Sequence, residues 1–485
     1  TYRNARVDGQ ISGKQFNGTM DINDPNVDMH FEGDVDMRDS LPKLDFIARV
    51  DSIHFHPLGF AKDSMSIQGI FDMDMTVGRF DQLQGTLHGE KIILSVKEVD
   101  YPVDSLDVIA TTDSTTGEKL YIVESDILSG SVSGVFDPAS LPNQMQHYLY
   151  DHYPRVFDKP QKLLTVMGSQ RFNWNIEIFD SKDWFQLAGL KDLRVKNVVT
   201  QGTFNLNEKR TSGFIELPEV HYGNINVYAT TIDFSEANGM TKVDLDLIAA
   251  DVNESFFLED GLIKGSLTDD SVRLNFKTDQ FADIISELDL DIDAYSQDGD
   301  WTISFNPISL VMLGADWKVP IGNKVTIKKD QFTLENFELI STDQKIVLDD
   351  IDHKGLEAYI TGFDISYLNQ IWINDKFDFA GKYTLDFEAD NLYDIKQMKA
   401  VLSLPDLLIN NVPYGHLVLN ASMKDPKDSV RIDLTLLNKE TSLVGVGAYV
   451  PPIKSIPKED QNYLRLDLVA KEFPLDFLEF LLGGN

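Results

Sequence analysis

His54 and His56 stand two residues apart, a spacing that would put both imidazoles on one face of a β-strand and could begin a divalent-metal site. The nearby carboxylate, Asp51, has the opposite parity. Histidines near a strand end are more often surface or packing residues, so no metal is expected. Asp289, Asp291 and Asp293 imitate the start of a calcium loop, but the sixth position is Ala294 where the loop needs glycine. Leu288, Leu290 and Ile292 alternate strictly with them, which predicts a strand with a wet aspartate face. The other histidines are scattered, with no Ser/His/Asp constellation, Gly-x-Ser-x-Gly turn, P-loop or dinucleotide fingerprint. With no cysteine, thiol catalysis, Cys-zinc sites and disulfide scaffolds are excluded. The expectation is a non-enzyme without cofactor.

One further pattern carries chemistry. Asp-Ser-apolar triplets recur around Ser40, Ser52, Ser64, Ser105, Ser271 and Ser429. Asp-Ser is also common turn chemistry in an aspartate-rich chain.

The elements that hold these residues are strands. Val27, Met29, Phe31, Val35 and Met37 share one parity, and Asp28, His30, Glu32, Asp34 and Asp36 the other. The same alternation recurs through Leu44/Phe46/Ala48/Val50, Phe71/Met73/Met75, Val243/Leu245/Leu247, Tyr383/Leu385/Phe387, Leu417/Leu419, Ile432/Leu434/Leu436 and Leu464/Leu466/Leu468. A period of two sends successive side chains to opposite faces, so each segment has one oily and one wet, often acidic, face. Turns are expected at Asp8-Gly9, Asn17-Gly18, Asn23-Asp24-Pro25, Asp298-Gly299 and Gly322-Asn323. One helix is expected from about Leu141 to Tyr153, with Ser140 as N-cap, Pro142 in the first turn, an apolar stripe through Leu141, Met145, Tyr148, Leu149 and His152, and Pro154 ending it. Short helices are expected near 183–190, 365–372 and 475–482. The chain thus divides into a β segment 1–138, a helical insertion 139–170 and a β segment 171–485. Two echoes suggest repetition: Phe363-Asp364-Ile365 with Phe473-Pro474-Leu475, and Leu217-Pro218…Tyr222-Gly223 with Leu404-Pro405…Tyr414-Gly415.

The 485 residues include 78 acidic and 43 basic ones, for a net charge of −35, which argues against nucleic acid as a partner. With 42% hydrophobic residues the chain is not a disordered acidic tail. No run of apolar residues is long enough for a spanning helix. The first residue is Thr1 and no signal peptide precedes the strand text, so the expectation is a piece of a longer protein whose anchor lies outside it.

A sheet with one apolar face must cover that face, and helices here are too few to do so. The fold expected is therefore all-β: an elongated, twisted, mostly antiparallel sheet curled into a hydrophobic groove, with a short helical insertion. About thirty strands at ~4.8 Å would extend roughly 140 Å. The expected filling is phospholipid acyl chains, because each buried methylene is worth about 0.8 kcal/mol without a specific site. Candidate lining residues are Val27, Met29, Phe31, Met37, Phe46, Phe71, Met73, Met75, Leu245, Leu247, Tyr383, Leu385, Phe387 and Leu434. The acidic outer face would keep such a sheet soluble and discourage edge pairing. Tandem β-sandwiches forming a structural or assembly scaffold without lipid transport would show the same alternation. A glycan-active β-helix enzyme would need clustered carboxylates that a sequence does not display.

The strand openings Gly69-Ile70-Phe71-Asp72-Met73 and Gly381-Lys382-Tyr383-Thr384-Leu385, the Leu-Pro…Tyr-Gly echoes and the ending Glu472-Phe473-Pro474-Leu475-Asp476-Phe477-Leu478 resemble the TamB/AsmA-like envelope proteins, in the form found in Bacteroidota. The resemblance covers most of the chain in style and carries no catalytic signature. It implies an internal fragment of a periplasmic protein anchored to the inner membrane by a segment not present here, with a long β-groove conducting phospholipid towards the outer membrane. It also implies, for some members, an outer-membrane assembly barrel (TamA/BamA-like) as partner. The Asp-Ser-apolar triplets resemble the O-glycosylation sequon of exported Bacteroidota proteins.

Overall fold

The structure is a computed structural model and describes residues 4–78, 83–138, 140–154, 157, 159–160, 170–181, 184–253, 256–282, 284–297, 299–367, 378–424, 429–439, 441–450 and 463–473. Among the described residues 71% are strand and one short segment is α-helix, so the class is all-β. The elements run β1 (Ala5–Ser12), β2 (Gln15–Asp24), β3 (Val27–Asp36), β4 (Lys43–His54), β5 (Met65–Thr76), β6 (Gln84–Val96), β7 (Val99–Thr112), β8 (Lys119–Ser125), β9 (Leu128–Val135), α1 (Leu141–His152), β10 (Arg171–Asp180), β11 (Leu193–Asn205), β12 (Arg210–Tyr222), β13 (Ile225–Ala237), β14 (Met240–Asn253) and β15 (Phe256–Leu267). They continue with β16 (Ser271–Thr278), β17 (Gln280–Phe281), β18 (Ile285–Gln297), β19 (Asp300–Met312), β20 (Ala315–Asp316), β21 (Lys324–Lys328), β22 (Gln331–Glu335), β23 (Phe337–Ile340), β24 (Lys345–Ile351), β25 (Gly355–Asp364), β26 (Phe379–Ala380), β27 (Lys382–Ala389), β28 (Met398–Ile409), β29 (Val412–Met423), β30 (Val430–Leu437), β31 (Ser442–Val450) and β32 (Tyr463–Lys471). They form a long antiparallel sheet of 22 strands, β1–β22, and a sheet of 10 strands, β23–β32.

The chain divides into two compact units, residues 1–254 with 261–269, and residues 255–260 with 270–485. In the first unit each strand hydrogen-bonds to the next in sequence, from β1 to β14, giving an uninterrupted meander. Register carries the alternation from strand to strand: Phe31 faces Ala48, Val35 faces Leu44, and Phe46 faces Met73. The apolar parities of neighbouring strands therefore merge into one continuous face.

The expected turns at Asp8-Gly9 and Asn17-Gly18 are corrected: both dipeptides lie inside strands, β1 and β2. Gly9 pairs with Gly18, and Gly18 with Gly33, on the apolar parity of three successive strands. Gly18 and Gly33 have φ of 156° and 157°, and a Cβ on either would sit 2.3 Å from a carbonyl oxygen of the neighbouring strand. Glycine is required there because the next backbone closes over the place of a side chain, as at a tight bend in a sheet. The turn after Asn23-Asp24 and that around Gly322 fall where expected, and Gly299 lies in the β18–β19 turn. Gly69 sits inside β5 and opens nothing, whereas Gly381 does precede β27.

β9 and β10 pair directly, Val135 with Arg171, so the chain between them leaves the meander as an insertion. Its helix α1 ends one residue before the expected Tyr153. The expected cap is corrected: Ser140 already has near-helical backbone angles (φ −96°, ψ −18°) and makes no side-chain cap bond. Its hydroxyl instead donates to Asp137 O at 3.3 Å and accepts from Gln144 Nε2 at 2.9 Å. The expected segment 183–190 contains a 3-10 turn, Trp184–Ala188, and 365–372 contains another, Ile365–Tyr367. Residues 368–372 and 475–482 lie outside the described residues. The Leu-Pro…Tyr-Gly echo is not structurally equivalent: Gly223 is in the β12–β13 turn, while Tyr414-Gly415 lies within β29.

In the second unit the same rule holds through β27–β31. Leu385 faces Leu402, which faces Leu419, which faces Leu434. Part of this face is closed. Leu404, Leu436 and Leu443 are fully buried in a cluster with Phe379, Leu407 and Ile409, and Ile365 and Phe473 pack against it.

Candidate functional site

The candidate site is the apolar face of the first unit, and its geometry follows from the strand register. Phe16, Phe31 and Phe46 come from three successive strands and stack in a row, with ring centroids 6.1 and 5.0 Å apart. Val27, Phe31 and Met75 are buried, and Met29, Phe46, Phe71 and Met73 are half-buried on the same face. Leu245 and Leu247 occupy this parity in β14, opposite Ile232 and Thr230. Met37 departs from the expected row: it lies beyond the last residue of β3 and is 53% exposed. In the second unit Leu434 belongs to the sealed cluster, Tyr383 packs against it, and Leu385 and Phe387 are half-buried on β27. The predicted lining residues thus fall on one face within each unit, some buried and some half-buried in both.

The surface area measures how much stays uncovered. The chain keeps 29403 Å² accessible to solvent. Two separate compact globules of half its mass each would expose about 22,000 Å² in total. The chain thus leaves more surface in contact with solvent than two compact globules of its mass would.

The opposite face is acidic and lies in register. Asp34 pairs with Asp45, and Asp45 with Asp74, so like charges face one another across three strands, an arrangement that opposes pairing and is tolerated in water. Asp36 at the end of β3 is bound by Arg38 (Nη2–Oδ2 2.6 Å), whose guanidinium and backbone N–H hold the carboxyl down at about 2. Asp289 pairs with Lys277 at 2.6 Å and Asp293 with Arg273 at 3.4 Å, while Asn275 Nδ2 donates to both Asp289 and Asp291 at 2.8 Å. These three aspartates form the wet face of β18. His54 ends β4, whereas His56 is in the following turn and contacts Ala61 O at 3.2 Å, so the two imidazoles share no strand face. Among the described residues no group of three His, Asp or Glu is placed to hold a metal.

The triplet serines are distributed unevenly. Ser40 and Ser64 are exposed in the β3–β4 and β4–β5 connections, and Ser105 is exposed within β7. Ser52, Ser271 and Ser429 are half-buried.

The alternation did not single out Glu236. It occupies the apolar parity of β13 after Ile232 and Phe234, yet its side chain is 1% exposed. It lies beneath α1, accepts a hydrogen bond from the Tyr148 hydroxyl, and stands 3.6 Å from His152 Nε2. Burial, and then the Glu236 carboxylate, push the Tyr148 phenol well above its ordinary value. The signal available in the sequence is the break itself, a carboxylate at an oily position.

At the other ends of the strands, Trp184 packs on Ile92, Val103 and Ile127 and stacks against Tyr101 at 5.3 Å. No family model, curated protein or solved structure matches the chain.

Proposed function

We propose that this chain is a segment of a periplasmic, bridge-like conduit that carries phospholipids between inner and outer membrane and supports outer-membrane biogenesis. The observation that carries the reading is the apolar face that runs in register across the β1–β14 meander, with neighbouring backbones in close approach at the Gly9–Gly18–Gly33 row. Across 14 strands that face runs about 65 Å along the sheet, long enough for several acyl chains in succession. Its contacts are apolar and near-equivalent from strand to strand, so a chain gains about 0.8 kcal/mol per buried methylene at any position and has no single well in which to stick. Headgroups stay at the open seam, and the acidic outer face keeps the sheet apart from other sheets.

Partners under this reading are phospholipid acyl chains and an outer-membrane assembly barrel. Membrane contact is made through parts outside this chain. Among the described residues no helix is long and apolar enough to cross a membrane. The exposed Ser40 and Ser64 are the most accessible of the triplet hydroxyls for O-glycosylation. An intact mass equal to the bare polypeptide, measured on protein from its native source, removes that part of the proposal.

The test is lipid extraction and native mass spectrometry of the purified chain. Bound phospholipid is expected in the parent, and less of it in Met73→Asp, which places an unpaired charge on the inner face. Unchanged lipid in that variant counts against the groove. The second reading, an envelope scaffold without transport, draws on the sealed cluster around Leu404, Leu436 and Leu443. It predicts no retained phospholipid at all.

A further inference from the structure

We propose that α1 is a detachable plug: it occupies the inner face of β8–β14 where an acyl chain would otherwise lie, and it is fastened there by a weak polar latch centred on Glu236. The inference rests on the reading of that face as an acyl-chain site. It goes further by assigning one stretch of the face to an internal competitor.

The occupancy is direct. Leu141, Met145 and Leu149 of α1 pack on a cluster formed by Phe136, Tyr148, Phe172 and Phe204. Tyr148 meets Phe204 edge-on at 5.3 Å, and Phe172 lies 5.4 Å from Phe204 on the neighbouring strand. Phe172 and Phe204 are paired across β10 and β11 and share the parity of Trp174 and Ile176. The helix therefore covers side chains that continue the same apolar face, and it does so with a stripe of its own that has the chemistry of an acyl chain.

The fastening is poor for so buried a contact. Tyr148 OH donates to Glu236 Oε2, and the Tyr153 and Thr241 hydroxyls bond one another. The second carboxylate oxygen of Glu236 has no hydrogen-bond partner, nor has His152 Nε2, 3.6 Å away. His152 Nδ1 lies 2.7 Å from the carbonyl oxygen of Tyr148 and so donates to it. Nε2 faces the carboxylate from beyond hydrogen-bond reach, so no hydrogen bond closes this side of the contact. An apolar residue at position 236 would hold a permanent lid more firmly than a half-satisfied carboxylate does. The groups facing Glu236 are Tyr148, His152 and Tyr153 from the helical segment and Thr241 from β14. None of them supplies a fixed positive charge. Docking of α1 is thus apolar in its bulk and marginal at its polar end, as a contact meant to be exchanged requires.

The experiment compares the parent chain with Leu149→Glu, which puts a charge into the helix stripe and leaves the sheet untouched, and with the milder Tyr148→Phe, which cuts only the latch. Hydrogen exchange reads helix release, and photolabelling with a diazirine-bearing phosphatidylglycerol in vesicles reads where acyl chains lie. The expected result for Leu149→Glu is at least tenfold faster exchange of α1 amides, unchanged exchange in β10 and β11, and at least fivefold more label on Phe172, Trp174 and Phe204. Tyr148→Phe should fall between it and the parent. Exchange in α1 as slow as in the parent for both variants overturns the proposal. Release of α1 without added label at Phe172 and Phe204, while Met29, Phe31 and Met73 are labelled in every chain, overturns the plug and leaves the groove standing. No inner-face label in any chain overturns the groove reading and the plug with it.

Discussion

Gly33 lies directly across from Phe46, and a methyl group on Gly33 would stand 2.5 Å from the Phe46 Cβ. Phe46 itself stacks on Phe31 at 5.0 Å, so the glycine is what lets an aromatic row and a sharp backbone approach coexist. Gly33→Val should destabilise the first unit by about 2 kcal/mol or more, because a β-branched residue meets both a left-handed backbone and a steric overlap. Urea denaturation followed by tryptophan fluorescence and hydrogen exchange in β2–β4 would measure it. A variant as stable as the parent would mean that the row does not bend the sheet.

Two residues of the apolar faces, one in each unit, predict different truncation costs. Leu436 is fully buried, and Leu436→Ala should cost about 3 kcal/mol through the cavity it leaves. Met73 is half-buried, and Met73→Ala should cost about 1 kcal/mol or less, since fewer contacts are lost and the site is open to collapse. Denaturant midpoints for the two variants decide this. Equal losses would show that Met73 is packed as tightly as Leu436.

Tyr148 makes the α1 contact sensitive to alkali. Its folded phenol titrates above the unfolded value of about 10, through burial first and the Glu236 carboxylate second. Folding therefore binds a proton that the unfolded chain loses. The contribution is complete below pH 10 and fades as the pH rises beyond it. Absorbance titration of the tyrosinates should show one phenol ionising only with unfolding, and Tyr148→Phe should remove that late component. A Tyr148 that ionises with the exposed tyrosines would place the phenol in water.

Asp36 predicts the opposite pH behaviour. The Arg38 guanidinium holds its carboxyl down at about 2, against an ordinary 3.8. The pair's contribution is therefore present above the ordinary value and is lost as the pH falls towards 2. Arg38 is exposed and Asp36 half-buried, so added salt should weaken the effect in part. Arg38→Ala should move the Asp36 carboxyl titration upward, part of the way to its ordinary value, in an NMR experiment, because the backbone N–H of residue 38 still donates to it. An unaltered curve would assign the depression to something other than Arg38.

The strands were legible from residues such as Val27, Met29 and Phe31, because a period of two is a local property that each segment declares by itself. So was α1, whose stripe through Leu141, Met145, Tyr148 and Leu149 packs as its spacing demands. The row at Gly9, Gly18 and Gly33 was not legible. Asp-Gly and Asn-Gly are turn signals locally, and only pairing with the next strand reveals that these glycines share one bend. Glu236 was visible as an interruption of an oily parity, but its partners Tyr148 and His152 lie more than eighty residues away in sequence. Alternation also could not say which parts of the apolar face stay open, as around Met73, and which close, as around Leu436. Whether an apolar side chain meets solvent or another side chain depends on curvature summed over many strands, a quantity that no single segment encodes and that only the assembled sheet settles.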